Sequence, residues 1–228
     1  MDSLLINYYT KSIRLTPDGF SLYGEVKGDT LRHTYHANAE NALLTLKAPE
    51  FFGLSDQAEA SLDVIVATRP PLLVPDVIFD ESKVRDYLRM QFDISQIGEH
   101  YSDTLGHYRS LYFLTQNELT ALSGLPCKLQ YKSEATLLYQ FLQSQGESNA
   151  VLLSVNDTFA DILAVQNGEP LLVNRTTHVE NVDLLYHTLN SVQQLGMANP
   201  TLFVHYFTKP NRKLNDLLAR YIDHITIL

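Results

Sequence analysis

One order of predicted secondary structure occurs twice in this chain of 228 residues. In each copy three strands lead to a helix, a fourth strand and a second helix, with the first copy at residues 12–92 and the second at 150–228. The duplication predicts two α/β units, each with a mixed sheet whose crossover connections place helices on both faces. The predicted strands are residues 12–15, 20–26, 30–37 and 62–67 in the first copy, and 150–155, 160–165, 171–177, 201–205 and a final 225–228 in the second.

Turn and cap signals mark the ends of these elements. Pro17, Asp18 and Gly19 predict a hairpin turn between the first two strands, and Asn167 with Gly168 predicts one in the second copy. Asparagine side chains that can accept hydrogen bonds from the first turn precede three predicted helices. These predicted N-caps are Asn38, Asn181 and Asn211.

The sequence pattern changes after the fourth strand of the first copy. Three prolines within residues 70–75 predict a loop, after which a helix is predicted from Asp80 to Phe92. Residues 101–105 are predicted as a strand or part of a hairpin, and later elements as strands at 110–114 and 127–131 and as helices at 116–123 and 134–145.

A polar turn at residues 146–149 separates the last of these helices from the second copy. We therefore predict a first lobe at residues 1–146, with a small inserted subdomain at about 70–107, and a second lobe at residues 147–228.

Composition and charge exclude several classes of protein. Hydrophobic residues make up 45% of the chain and charged residues 19%, which predicts a globular fold throughout. The net charge is −9 and the basic residues are scattered, which argues against nucleic acid as a partner. Cys127 is the only cysteine, so neither an internal disulfide nor a Cys-based zinc site is predicted. Neither a membrane span nor a signal peptide is predicted, and the expected location is the cytoplasm.

Three segments together carry a family resemblance: residues 12–21 (SIRLTPDGFS), residues 73–75 leading to Phe79, and residues 168–174 (GEPLLVN). They resemble an uncharacterised Bacteroidetes family, the domain of unknown function 3822, with an actin-like ATPase fold. The resemblance covers nearly the whole chain and implies a duplicated, ribonuclease-H-like α/β fold with two lobes. The chain is also similar to pilus-assembly and cell-division actin-like proteins, in which a small subdomain follows the fourth strand of the first copy.

The resemblance implies an ATP site between the lobes, which the sequence matches only in part. In such a site each hairpin supplies a Gly-containing turn for the phosphates and an Asp that organises the metal, and a Gly-Gly turn approaches the adenosine. Asp18 and Gly19 match the first hairpin. In the second, Asp157 and Thr158 are followed by Phe159, so a β-branched and an aromatic side chain would stand where backbone should meet phosphate. The adenosine position, residues 207–211, contains no glycine.

The same residues also have purely structural interpretations. Asp18 and Gly19 are a common pair in hairpin turns, and Asp157 can cap its own turn. Asp157 and Asp161 could instead be paired carboxylates. A nuclease of the ribonuclease H type, however, needs three or four carboxylates at the centre of the sheet, and the central strands offer only Asp63.

Histidines and tyrosines give weaker signals. His33 and His36 fall on opposite faces of a predicted strand, so no metal site is predicted there, and no catalytic residue is predicted anywhere in the chain. Cys127 is expected to be a buried, inert thiol. Tyr8 and Tyr9 lie near a terminus without a helical pattern and are expected to be exposed, as an aromatic interaction surface would require.

These observations predict a non-catalytic binding or assembly module, a pseudo-ATPase that needs no cofactor. The expected partner is a protein, which could be a second copy of the chain, and not nucleic acid or a membrane; the inserted subdomain is the expected contact surface. The alternative is an actin-like ATPase that binds ATP and Mg²⁺ in the cleft between the lobes through Asp18, Gly19, Asp157 and Thr158. A third hypothesis is a sensor that binds a small metabolite in that cleft.

Overall fold

The computed structural model describes residues 4–26, 29–36, 42–54 and 61–228, and the chain divides into two compact units. The N-terminal unit consists of Ile6–Thr104 and Tyr108–Thr136. The C-terminal unit consists of Leu137–Leu228 together with Met1–Leu5 and Leu105–His107. Each unit has its own five-stranded sheet with helices, which confirms the predicted two-lobed α/β class. The lobe limits at residues 146 and 147 and the limits of the inserted subdomain stay predictions.

The N-terminal unit is built on one large and one small sheet. Its elements are β1 (Ser12–Thr16), β2 (Gly19–Val26), β3 (Asp29–Tyr35), α1 (Ala42–Phe52), β4 (Ser61–Val66), β5 (Leu72–Pro75), α2 (Val84–Arg89), β6 (Glu99–Leu105), β7 (Tyr108–Leu114), α3 (Gln116–Ser123) and β8 (Lys128–Ser133). The large sheet has the order β3-β2-β1-β4-β8, and the small sheet has the order β5-β7-β6. β1 is antiparallel to β2 and parallel to β4, which is parallel to β8.

The C-terminal unit repeats the large sheet. Its elements are α4 (Glu134–Gln145), which begins in the N-terminal unit, then β9 (Asn149–Val155), β10 (Phe159–Gln166), β11 (Glu169–Thr177), α5 (Asn181–Gln194), β12 (Thr201–Tyr206), α6 (Arg212–Leu218) and β13 (Ile225–Ile227). The order β11-β10-β9-β12-β13 matches the first sheet strand for strand. β9 is antiparallel to β10 and parallel to β12, as β1 is to β2 and β4. This topology confirms the predicted duplication of the sheet, but the first copy does not end at residue 92 as predicted, because its fifth strand is β8.

The N-terminal unit has a smaller apolar cluster beside its small sheet, and in each unit alternate residues of the central strands pack with the helices into a main apolar core. These core residues include Ile13, Leu15, Val64, Val66 and Leu44 in the N-terminal unit, and Val151, Leu153, Leu202, Val204 and Leu184 in the C-terminal unit. Within the described residues no helix is long and apolar enough to span a membrane.

The segment after β4 differs from its prediction in two places. The proline-rich stretch is not a loop throughout, because Leu72–Pro75 forms β5, an edge strand in which a proline is tolerated. The helix predicted from Asp80 to Phe92 is wrong in its limits. Asp80 caps a 3₁₀ turn by accepting a hydrogen bond from Ser82 N at 3.0 Å, and α2 follows that turn and ends at Arg89. Phe92 lies beyond the helix, with its ring edge-on to Phe113.

Two of the predicted N-caps can be compared with the structure. Asn211 caps α6, since its side chain accepts a hydrogen bond from Leu214 N at 3.2 Å. Asn181 is the first helical residue of α5, so its prediction as the cap is wrong by one position. The Asp183 carboxylate accepts the backbone N–H groups of Glu180 and Val179, which lower its pKa and satisfy this helix start. The third predicted cap, Asn38, lies outside the described residues.

A buried ion pair joins β1 to the start of α4. The Arg14 guanidinium donates through Nε and Nη2 to the two carboxylate oxygens of Glu134, the first residue of α4. The Tyr9 hydroxyl donates to the same carboxylate at 2.9 Å, and all three side chains are buried. Burial, followed by the negative charge of Glu134, raises the pKa of Tyr9, so the phenol stays neutral.

The expectation that Tyr9 is exposed is therefore wrong. Its ring centroid lies 5.1 Å from that of Tyr23 in the core, while Tyr8 is half-buried. The expectation of a buried Cys127 is also only partly met, because the thiol just before β8 is half-buried; desolvation raises its pKa.

Glu134→Ala leaves the Arg14 charge buried without its partner, and we expect it to lower the free energy of unfolding by about 3–5 kcal/mol. Urea titration of the full chain measures the loss. The matched control is Glu50→Ala, which removes an exposed ion pair with Lys47 and should leave the urea midpoint unchanged. Equal effects of the two substitutions would contradict the importance assigned to the buried pair.

Candidate functional site

The turn between β9 and β10 lies at the carboxyl end of the central strand of the C-terminal unit. Asn156 N donates to the Phe159 carbonyl at 2.9 Å, and Asp157 and Thr158 between them are exposed. His178, the residue after β11, holds this turn, because its Nε2 lies 3.0 Å from the Asn156 carbonyl and its backbone N–H donates to the Thr158 carbonyl. None of the turn residues has a positive φ, so the turn forms without a glycine.

An ion pair and an aromatic ring fix the strands beneath this turn. Arg175 donates through Nε and Nη2 to both carboxylate oxygens of Asp161, each at 2.8 Å, and its guanidinium lies 4.0 Å from the centroid of the Phe159 ring. Phe159 and Asp161 are both buried.

This arrangement corrects two expectations. Phe159 does not stand on the surface of the turn, because its ring packs into the unit beneath Arg175. Asp157 and Asp161 are not a carboxylate pair, because Asp161 is bound by Arg175 while Asp157 faces solvent.

The chain after β12 continues the same edge of the sheet. Phe207 N donates to the Val155 carbonyl at 2.9 Å, which holds this segment against the end of β9, and Thr208 and Lys209 are exposed. Asn211 Nδ2 donates to Asn181 Oδ1 at 2.8 Å and so connects the starts of α5 and α6. The edge presents hydroxyl, carboxylate and amine groups without the glycines that close approach of backbone to a nucleotide requires.

In the corresponding hairpin of the N-terminal unit, Gly19 is needed for close packing against β3. The Thr16 hydroxyl donates to the Gly19 carbonyl at 3.0 Å across the turn, and Asp18 is half-buried. A Cβ atom on Gly19 would lie 2.0 Å from the backbone oxygen of Tyr35 in β3. The approach of β3 is therefore enough to require glycine at this position.

The four residues predicted for a nucleotide site belong to different units, Asp18 and Gly19 to the N-terminal unit and Asp157 and Thr158 to the C-terminal unit. Their joint role in nucleotide binding stays a prediction. Across the described part of the chain, no three His, Cys, Asp or Glu side chains are grouped to hold a metal ion.

A groove of about 580 Å³ lies on the N-terminal unit, among α2, the start of β6, α3 and β8. Gly98 lies at the entrance to β6, where its N–H donates to the Leu114 carbonyl at 3.0 Å and a Cβ would lie 2.5 Å from that same oxygen. The groove was not predicted, because its residues are far apart in the sequence and form no short motif. Its lining includes Arg85, Glu99, His100, Gln116, Leu119, Thr120, Ser123 and Tyr131.

The lining contains one cation, Arg85, one carboxylate, Glu99, and neutral hydroxyl groups. Within the described residues Arg85 is exposed and forms no ion pair, whereas Glu99 interacts with Tyr101. The rings of Tyr101 and Tyr131 lie 4.6 Å apart, and burial raises the pKa of both phenols, so they remain neutral. A ligand in the groove therefore meets a cation at Arg85, a carboxylate at Glu99 and apolar surface at the Tyr131 ring and Leu119.

Several large apolar side chains are exposed in residues 77–94, the segment of the sequence that contains Arg85 of the groove. Val77 is 92% and Met90 is 83% exposed, and Ile78 and Ile94 are exposed as well. The Tyr87 hydroxyl of α2 donates to the Ile78 carbonyl at 2.7 Å, which ties the segment before α2 to the helix. Exposure of several apolar side chains in one short segment is typical of an interaction surface.

A model of the family described as "Protein of unknown function (DUF3822)" matches residues 3–225. A solved structure from Bacteroides thetaiotaomicron, a protein with an actin-like ATPase fold and unknown function, is similar with a TM-score of 0.69 and 21% identity over 100% of this chain and 93% of that chain. The solved PilM-PilN type IV pilus biogenesis complex is similar with a TM-score of 0.56 and 13% identity over 95% of this chain and 87% of that chain. No curated protein matches the sequence. These likenesses establish the actin-like ATPase fold that the sequence resemblance implies.

Asp161→Asn removes the negative charge from a buried ion pair, and we expect it to lower the free energy of unfolding by about 3 kcal/mol because Arg175 loses its counter-charge. The control is Asp157→Asn, which changes an exposed carboxylate of the same hairpin. Urea unfolding of both variants measures the difference, and a loss of stability in Asp157→Asn equal to that in Asp161→Asn would be the contrary result.

Proposed function

We propose that this chain, which belongs to the DUF3822 family of proteins of unknown function and has an actin-like ATPase fold, is a non-catalytic module that binds a protein partner. The observation that carries the proposal is the concentration of binding features between β4 and β8. That part of the N-terminal unit contains the groove and the exposed side chains of Val77, Ile78, Met90 and Ile94.

The chemistry of the groove points to a segment of polypeptide as the ligand. Arg85 provides a charge for a carboxylate, Gln116 and Thr120 provide polar groups for a backbone, and Leu119 and Tyr131 provide apolar surface. Arg and Tyr side chains are among those that contribute most to protein–protein binding. We therefore propose an acidic segment with neighbouring apolar residues as the partner's contact.

The structures of the two hairpins favour a protein that binds a partner and does not bind or hydrolyse a nucleotide. Gly19 is required by the packing of β3, and the second hairpin closes without a glycine. Asp161, the second carboxylate of that hairpin, is held by Arg175 in an ion pair and is not available to organise a metal through water. These features support a degenerate ATPase-like fold that has been retained as a scaffold.

A solved neighbour of the same fold gives independent support. The PilM structure is that of a complex with PilN in type IV pilus biogenesis, so an actin-like fold of this shape binds a protein partner in that case. We propose that this chain also binds a protein through its actin-like fold. The proposal does not include PilN as the partner.

The alternative, an ATP-binding protein, rests on the exposed edge of the C-terminal sheet. Asp157, Thr158 and Lys209 face solvent there, and a carboxylate, a hydroxyl and an amine could contact a metal-bound phosphate. In that case Asp18 and Gly19 would belong to the same site, as predicted from the sequence.

Thermal unfolding with and without millimolar Mg-ATP separates these functions, since a ligand that binds only the folded state raises the midpoint. We expect the midpoint to be unchanged, in the wild type and in Asp157→Asn alike. A rise of several degrees in the wild type that Asp157→Asn abolishes would contradict the proposal and favour ATP binding.

Selection of a random-peptide library on the full chain tests the partner surface. We expect enriched peptides with acidic and apolar residues, whose affinity falls about tenfold or more in Arg85→Glu and Met90→Ser because a central contact is lost. The control is Leu46→Ser, which removes another exposed apolar side chain of the same unit outside the segment. Peptides that bind all four proteins equally would place the surface elsewhere.

A further inference from the structure

The outer edge of β11 is an open strand edge. β11 is the terminal strand of its sheet and nine residues long, and in the described part of the chain no other strand pairs with its outer side. His178 N donates to the Thr158 carbonyl, so residues 158 and 178 form a hydrogen-bonded pair, and such pairs recur at every second position along β10 and β11. The backbone N–H and C=O groups of Val173, Arg175 and Thr177 therefore point away from β10.

The other described edge strands carry features that oppose pairing with another chain. Such features are charged side chains along the strand, a very short strand or a proline. They are Arg32 with His33 on β3, Glu99 on β6, Lys128 on β8, only three residues in β13, and four residues ending in Pro75 in β5.

β11 has this protection only at its start. Pro170 follows Glu169 there, and a bulge interrupts the pairing with β10 nearby; His107 Nε2 lies 3.2 Å from Glu169 Oε1. From Leu171 to Thr177 the single charged side chain, Arg175, is paired with Asp161 on the neighbouring strand. Leu171 is 40% exposed, so this stretch offers an uncharged edge with an apolar side chain.

We infer that the Leu171–Thr177 edge pairs antiparallel with the same edge of a second copy of the chain, joining the two C-terminal sheets into one. The occupant follows from symmetry, because two identical antiparallel strands related by a two-fold axis match every outward N–H with a C=O. Since Arg175 is neutralised within its own chain, no like charges face each other across the axis. This interface is independent of the partner surface proposed for the N-terminal unit.

Sedimentation equilibrium of the full chain tests the dimer. We expect a monomer–dimer equilibrium, with the dissociation constant raised about tenfold or more by Leu171→Lys, which puts a charge on each copy of the edge. The control is Leu46→Lys, which adds the same charge at an exposed apolar position of α1, outside both proposed surfaces, and should leave the dissociation constant unchanged.

Val173→Pro is a second edge variant. Proline at this position removes an outward N–H and leaves the bonds to β10 in place, so the variant should fold, with an unchanged circular dichroism spectrum, and fail to dimerise. If Val173→Pro does not fold, Leu171→Lys decides the question alone. A wild-type protein that stays monomeric at all concentrations, a dimer that Leu171→Lys leaves intact, or one that Leu46→Lys dissociates equally would each overturn the inference.

Discussion

The position of β1 and β9 at the centre of their sheets determines the layout of each unit. Each of these strands is bonded on one side to an antiparallel hairpin and on the other to a parallel crossover strand, so both of its edges are satisfied by the chain that follows it. The hairpin turns then lie at the carboxyl ends of the central strands. In the N-terminal unit the centre is also fixed by charge, because Arg14 of β1 holds Glu134 at the start of α4.

The duplication could be predicted because it depends on local sequence patterns. Apolar runs of strand length, turn signals and caps recur in the same order in both copies. Features that depend on contacts between residues far apart in the sequence could not be predicted. Tyr9 is buried because Glu134, distant in the sequence, accepts its hydroxyl, and Phe159 is buried because Arg175 covers its ring. The groove is lined by residues from α2, β6, α3 and β8, and no short segment contains enough of them to give a signal.

The chain contains a plan that both copies share and an addition that only the first copy has. The five-stranded sheets repeat each other, whereas the small sheet, α2 and the groove occur in the first copy alone among the described residues. The repeated part contains hairpins whose residues are committed to packing and ion pairing. The unrepeated part exposes apolar side chains and Arg85, which forms no ion pair with any described residue, and this is where we place partner binding.

Hydrogen–deuterium exchange of the full chain, measured with a library-selected peptide and separately with Mg-ATP, tests that placement most directly. Ligand contact slows the exchange of the amides it covers and stabilises. We predict that the peptide protects amides near Arg85, Glu99 and Gln116, and that Mg-ATP leaves residues 16–19 and 156–158 unchanged. Protection of both hairpins by Mg-ATP, with no peptide-dependent protection at the groove, would contradict the account.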